Sequence, residues 1–194
     1  MKNETKLTSV TTLRKQAREN IEAGAVTAGY RADRKIVLKL LNDALATEIV
    51  CVLRYRRHHF MAKGIQSKSI ADEFLIHANE ELGHADLLAD RIVQLGGEPD
   101  FSPASLVARS HAEYIEGSAL VSMITEDLIA ERIAIDSYRE LIEYLGDKDP
   151  TTRRMLEGIL AIEEEHADDL VDLLQGVPAN ASKGAKTPAA LLAN

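Results

Sequence analysis

Glu-x-x-His occurs twice in this chain, as Glu81-Leu-Gly-His84 and as Glu163-Glu-Glu-His166. Each copy lies in a long stretch whose apolar residues recur at helical spacing. On a helix, a spacing of three places both side chains on one face, about one turn apart. A carboxylate oxygen and an imidazole nitrogen on one face make half of a metal site. Two such helices, each joined by one more glutamate from a partner helix, complete the dimetal carboxylate arrangement found in four-helix-bundle cores. A chain built around that arrangement needs four long helices, so the repeated motif constrains the fold more than composition does.

Composition agrees with an all-α chain. The 194 residues are 45% hydrophobic and 28% charged, with no Trp and three Phe; Leu, Ala, Glu, Ile and Arg dominate, and most of them favour helix. A length of this order suits one core. No apolar run approaches the ~20 residues of a membrane span, and the N-terminus lacks an apolar signal-peptide core. The single cysteine, Cys51, excludes an internal disulfide, which fits a reducing cytoplasm. The net charge of −8 is unevenly spread. Residues 1–35 carry eight Lys/Arg against four Asp/Glu, and residues 177–194 carry two Lys and no acid. Residues 36–176 carry 13 Lys/Arg against 27 Asp/Glu, a net of −14. A body that acidic repels nucleic acid and attracts cations.

The chain divides into an N-terminal arm (1–32), a four-helix body (33–176) and a flexible Ala/Pro/Gly/Lys-rich tail (177–194). The arm carries a short helix from Thr11 to about Glu22. The first long helix runs from an Asp33 N-cap to Ala62 and stops at Gly64, with the apolar stripe Ile36, Val37, Leu40, Leu41, Leu45, Ile49, Val52 and Leu53. The second starts near Ser67 or Ser69 and ends at Gly96-Gly97. Residues 97–113 form a long crossover, with a helical turn opened by Ser102-Pro103. The third helix spans about Glu113 to Leu145, and the fourth runs from an Asp149 N-cap and Pro150 to Gly176. The two halves read as similar helical hairpins.

The two further glutamates follow from the stripes. Glu48 is the only acid between Asp43 and the end of the first helix, beside Leu45, Ile49 and Val52. A lone buried carboxylate there is costly without a partner. On the third helix, Glu131 lies three after Leu128 and four before Ile135, facing inward, while Glu126 and Asp127 fall toward the flank. The candidate site is therefore Glu48, Glu81, His84, Glu131, Glu163 and His166. Four carboxylates and two imidazoles suit a pair of iron or manganese ions. Four negative charges cancel two divalent cations, which permits burial; an empty site would carry strongly shifted carboxylate pKa values. One Glu-x-x-His alone is usually a solvated helix face. Two of them, 82 residues apart, with one inward glutamate on each remaining helix, argue for metal.

Over about residues 36–175 the chain resembles the bacterioferritins of the ferritin-like superfamily. LLNDALATEIVCVLRYRRHHF is similar to that family's first helix, EELGHADLLADRIVQLGGEPD to its second, AERIAIDSYREL to its third and EEEHADDL to its fourth. The resemblance implies a ferritin-like bundle with one long crossover. It makes Glu48 and Glu131 terminal ligands, Glu81 and Glu163 bridging carboxylates, and His84 and His166 the remaining ligands, with Tyr55 as the tyrosine near the site. Leu82 stands where haem-binding members carry methionine, so no family-type haem is expected. The accessory inner-surface iron ligands would fall near Ile76 and Glu80, so that site is expected to be missing. Mini-ferritins resembling the DNA-protecting starvation proteins are close competitors, although their usual iron site lies between subunits.

These readings converge on iron storage and detoxification. Fe2+ would be oxidised by O2 or H2O2 within one subunit, with Glu48, Glu81, Glu131, Glu163 and Tyr55 taking part, and Fe3+ would enter a cage of twelve or twenty-four copies. Twelve is favoured by the extra arm. A manganese catalase or peroxidase is one alternative. A DNA-binding shield using residues 1–20 (Lys2, Lys6, Arg14, Lys15, Arg18) is the other. His58 and His59 read as solvent-facing or subunit-contact residues, with iron guidance as the alternative. His77 reads equally as surface or as a neighbour of the ligands. His111 and Tyr114 read as packing, Cys51 as a small buried hydrophobe, Met61, Met123 and Met155 as core, and Arg54, Arg56 and Arg57 as pairing with acids across a subunit interface.

Overall fold

In the computed structural model, residues 7–63 and 67–177 are described. The expected stop at Gly64, residues 1–6 of the arm with Lys2 and Lys6, and the tail beyond Val177 lie outside them. The described residues are all-helical: α1 Val10–Gln16, a 3₁₀ turn Ile21–Ala23, α2 Arg34–Met61, α3 Ser67–Gln94, α4 Leu106–Arg109, α5 Leu120–Leu145 and α6 Pro150–Gly176. The fold is a four-helix bundle of α2, α3, α5 and α6 with one long crossover between α3 and α5. None of the described helices is long and apolar enough to cross a membrane.

Caps read from the sequence set the ends of the long helices. Asp33 accepts from the Lys35 and Ile36 amides at 3.0 and 3.2 Å, and Asp149 accepts from the Thr152 amide at 3.0 Å ahead of Pro150. The arm helix is shorter than expected, ending at Gln16, and none of its residues is buried.

The largest departure from expectation is α5, which begins at Leu120 rather than near Glu113. The crossover has other uses for its backbone. Asn42 Nδ2 donates to Glu98 O at 3.2 Å, and the Asp100 amide donates to Asn42 Oδ1 at 2.7 Å. Further on, the His111 amide donates to Thr47 Oγ1 at 2.9 Å and Arg54 Nη1 to Glu113 O at 2.8 Å. His58 Nε2 lies 3.2 and 3.1 Å from the Ile115 and Glu116 carbonyls. The strand-like chain thus runs along α2 from Asn42 to His58, and α4 packs on the way. Gly117, at φ +63°, makes the corner; a Cβ there would stand 2.7 Å from Met123 Cγ. By carrying the chain to the far end of α2, the crossover makes α5 antiparallel to it.

Several residues expected elsewhere form a buried cluster under this crossover. Arg54, expected at a subunit interface, is 1% exposed, and Asp127, expected on the flank, is 0% exposed. Arg54 Nε donates to Asp127 Oδ1 at 2.8 Å, and His58 Nδ1 lies 2.7 Å from Asp127 Oδ2. His58 is therefore neither solvent-facing nor a surface contact. An arginine can be buried here because its carboxylate partner and a crossover carbonyl lie within the same chain. Arg57 pairs with Glu116 at 2.8 Å and Arg56 with Asn79 at 3.1 Å, also within the chain. His59 Nδ1 meets the Ala71 carbonyl at 2.7 Å, and exposed His111 meets Ser137 Oγ at 3.0 Å. Met61 is exposed at the end of α2 rather than in the core, and Ile36 and Leu53 of the expected stripe also face outward. Met123 and Cys51 are buried, and Met155 packs against the core.

At the other end of the bundle, Arg91 on α3 holds α6. Its Nη2 donates to both Asp149 oxygens at 2.9 and 3.1 Å, its Nε to Thr152 Oγ1 at 2.7 Å, and Tyr30 of the arm donates to Asp149 at 3.1 Å. Burial alone would push Asp149 up, but hydrogen bonds from Thr152 and Arg91 outweigh it and hold the carboxyl below its ordinary 3.8. That stabilisation is present above the unfolded value of 3.8 and is lost as pH falls through the lower folded value. Asp149→Ala removes a helix cap and leaves a buried guanidinium without its partner. It is expected to cost about 3 kcal/mol or more, lowering the thermal midpoint by roughly 6–12 °C at neutral pH. Calorimetry checks this, and the difference from wild type should narrow in acid.

Candidate metal centre

Two apolar layers enclose the middle of the bundle. One contains Val37, Leu41, Leu88, Ile92, Leu145 and Leu156; the other contains Ile70, Phe74, Met123, Ile124 and Leu170. Between them lie the six side chains singled out from the sequence. Glu48 comes from α2, Glu81 and His84 from α3, Glu131 from α5, and Glu163 and His166 from α6. None of the four glutamates exceeds 1% exposure, and the two histidines are 6% and 2% exposed.

The six residues form two overlapping groups. Ligand atoms of Glu48, Glu81, His84 and Glu163 lie within 4.8 Å of one another, and so do those of Glu81, Glu131, Glu163 and His166. Glu81 and Glu163 belong to both groups. His84 Nδ1 is 3.6 Å from Glu48, 3.4 Å from Glu81 and 2.9 Å from Glu163. His166 Nδ1 is 3.6 Å from both Glu81 and Glu163.

Tyrosines hold the two unshared carboxylates from across the bundle. Tyr55 on α2 donates to Glu131 Oε1 on α5, and Tyr138 on α5 donates to Glu48 Oε1 on α2. Tyr55 is expected near the site from the family resemblance; Tyr138 is not among the expected site residues. The signal was available. Tyr55 follows Glu48 by seven residues and Tyr138 follows Glu131 by seven, so the two halves repeat the pair as well as the motif. Glu80 was not expected as a partner, whereas His77 takes the second of its two expected roles, beside the ligands rather than at the surface. Glu80 Oε2 accepts from His166 Nε2 at 2.9 Å, which leaves Nδ1 as the nitrogen turned inward. His77 is buried at 1% exposure, stacks on His166 at 4.1 Å, and places Nδ1 3.3 Å from the Tyr55 hydroxyl.

The inward-facing atoms crowd one another without forming well-aligned hydrogen bonds. Ten buried side-chain nitrogens and oxygens lack a hydrogen bond among the described residues, and seven belong to the six candidates: Glu48 Oε2, Glu81 Oε1, His84 Nδ1, Glu131 Oε2, both Glu163 oxygens and His166 Nδ1. A buried polar atom left unbonded costs about 1–3 kcal/mol. Seven converging on one spot form a donor set that could hold cations, and its chemistry suits iron or manganese.

Without cations, protons take their place. Burial and the neighbouring Glu81 push Glu48 up to about 8. Burial, with repulsion from Glu81 and Glu163, raises Glu131 well above the carboxylate range. Burial pulls the imidazoles down, but the close carboxylate oxygens, those of Glu163 foremost, outweigh it, lifting His84 to about 12 and His166 to about 10.

A ferritin-like domain model matches residues 38–179. The bacterioferritin of Desulfovibrio desulfuricans is 28% identical over 141 residues, covering 72% of this chain and 75% of the relative. The nutrient stress-induced DNA-binding protein of a Synechococcus species is 34% identical over 140 residues, covering 69% and 78%. Among solved structures, the bacterioferritin-related protein of Bacteroides fragilis, a dodecameric thioferritin, superposes with a TM-score of 0.73 at 34% identity, covering 75% of this chain and 88% of that one.

The site geometry makes a prediction about protons. In metal-free protein the raised pKa values of Glu48, His84 and His166 favour their protonated forms near neutral pH, and Glu131 is shifted in the same direction. Divalent cations need them deprotonated. Adding Mn2+ to metal-free protein in weak buffer should release up to four protons per pair of ions, and affinity should rise with pH. An indicator dye reads the release; binding that is independent of pH would contradict the geometry.

Proposed function

The chain belongs to the ferritin-like iron-storage family, and from that premise we propose that it is a ferroxidase that oxidises pairs of Fe2+ within each subunit and stores the Fe3+ in a shell of identical copies. The observation that carries this reading is the convergence of seven unpartnered donor atoms from four helices on one buried spot. Glu81 and Glu163, common to both donor groups, bridge the two substrate ions. Glu48 with His84 and Glu131 with His166 complete the two ends.

Each Fe2+ gives up one electron. H2O2 takes both electrons and two protons to become two waters, or O2 takes the same to become H2O2. The surrounding residues keep the donors aimed. Tyr55 and Tyr138 each fix one carboxylate oxygen and leave the other free, and Glu80 fixes the tautomer of His166. The apolar layers above and below exclude water, so the charges interact strongly and side reactions are suppressed. The net of −14 on residues 36–176 favours Fe2+ uptake from solution. The dodecameric Bacteroides fragilis relative supports a shell of twelve copies over twenty-four.

A second reading, a DNA-protecting mini-ferritin, is favoured by the Synechococcus relative, whose name records DNA binding, and by exposed Arg14, Lys15 and Arg18 on the arm. A salt-dependent gel shift that disappears on deleting residues 1–20 would establish it.

Anaerobic loading with Fe2+ followed by O2 or H2O2, with absorbance and particle mass followed together, tests the first reading. Two Fe2+ per chain should oxidise in a fast phase, and further iron should stay with one large particle. Glu163→Ala should slow the fast phase by about 100-fold, and Tyr138→Phe by about 10-fold with both ions still bound. Two ions bound with no further uptake would exclude storage and leave a peroxide-handling dimetal enzyme.

A further inference from the structure

Beside the six-residue centre, α3 and α6 bring a second donor group together. Glu73 and His77 lie one turn apart on α3, and Asp169 faces them from α6. His77 forms the floor at 1% exposure, while the Glu73 and Asp169 side chains are 32% and 47% exposed. The three make a cup with a buried imidazole at its base and two carboxylates on its rim.

His77 Nε2 is the key atom. It is buried, has no hydrogen-bond partner, and stands 3.5 Å from Glu73 Oε1 and 3.6 Å from Asp169 Oδ2. Its protonation follows from the other side of the ring. The Tyr55 hydroxyl has one proton and gives it to Glu131. The 3.3 Å contact between His77 Nδ1 and that hydroxyl is then made by Nδ1–H. Nε2 is left with a lone pair facing two carboxylate oxygens. Three electron-rich atoms converge with nothing positive between them.

A cation resolves this. Ligand atoms about 2.1 Å from a metal ion stand roughly 3.0–3.5 Å apart, close to the two separations at Nε2, and all three donor atoms lie within 4.8 Å of one another. The cup differs from the accessory positions implied by family resemblance. Ile76 is exposed and offers no ligand, whereas the neighbouring His77 turns inward.

We propose that Glu73, His77 and Asp169 form a separate mononuclear site for a first-row divalent cation, Fe2+ among them, on the solvent side of the six-residue centre. One imidazole and two carboxylates, with open positions for water, suit Fe2+, Mn2+, Co2+ or Zn2+. Having fewer protein ligands and a solvent-exposed rim, the cup holds its ion more weakly than the six-residue centre. Because His77 stacks on His166 at 4.1 Å, the cup's ion stands one imidazole layer from that centre, where a substrate Fe2+ can wait. The waiting role rests on the ferroxidase reading; the binding does not.

Titrating the full-length, metal-free protein with Mn2+ tests the proposal, because free Mn2+ gives a six-line EPR signal and bound Mn2+ is subtracted from it. Wild type should bind two ions tightly and at least one more weakly per chain. The Glu73→Gln/Asp169→Asn double variant should bind one ion fewer than wild type, losing a weak one and keeping the tight pair. Circular dichroism confirms that the variant is folded. Equal stoichiometry in the two proteins overturns the cup. If wild type binds a single ion and the double variant none, the cup stands and the dinuclear reading falls.

Discussion

Burying four carboxylates in the waist of a helical bundle is the constraint around which this molecule is arranged. Each buried charge costs several kcal/mol even after relaxation, and the costs compound because the four repel one another. Raised pKa values at Glu48 and Glu131 record first the burial and then that repulsion, and the raised imidazoles record the protein's partial answer to it. Two divalent cations answer it in full. Apolar layers on both sides supply the stability that such a centre subtracts, and they keep the dielectric low where the charges meet.

A second buried charge cluster shows what a self-sufficient one looks like. Arg54 and Asp127 neutralise each other, and their remaining bonds go to His58 and to crossover carbonyls. No atom of these three side chains is left without a partner. This cluster is structural glue: it fixes the crossover along α2 and thereby places α5 antiparallel, with Glu131 and Tyr138 at the level of Tyr55 and Glu48. The six-residue centre, one layer away, is built of the same residue types and left open on its inward side. That contrast is the ground for proposing that the first is a packing device and the second a binding site.

Much of this was legible in the chain. Capping residues Asp33, Asp149 and Pro150, with Gly96-Gly97 and Gly176, located the helix ends, because these signals act locally. The six candidate residues were legible because each sits alone, or with its motif partner, in an otherwise apolar stripe. The start of α5 was misplaced because residues 113–119 have no strong breaker before Gly117; what unwinds them is tertiary, the demand of Arg54 and His58 for carbonyls. Asp127 was assigned to the flank for a related reason. One helix face does not reveal that an arginine on another helix waits opposite. Tyr138 was legible in principle, since Glu48–Tyr55 and Glu131–Tyr138 share a spacing. Glu80 was not, because its role depends on α6 lying beside α3, and the same dependence left His77 open between the surface and the ligands' side.

The central claim is that six side chains from four helices form one dinuclear centre inside a single subunit. Anomalous X-ray diffraction from crystals of Fe2+-loaded protein, collected at the iron edge, tests it most directly. The account predicts two anomalous peaks about 3.5–4 Å apart, both between Glu48, Glu81, His84, Glu131, Glu163 and His166, with Glu81 and Glu163 touching both. A single peak, or iron held only between neighbouring subunits, would contradict it.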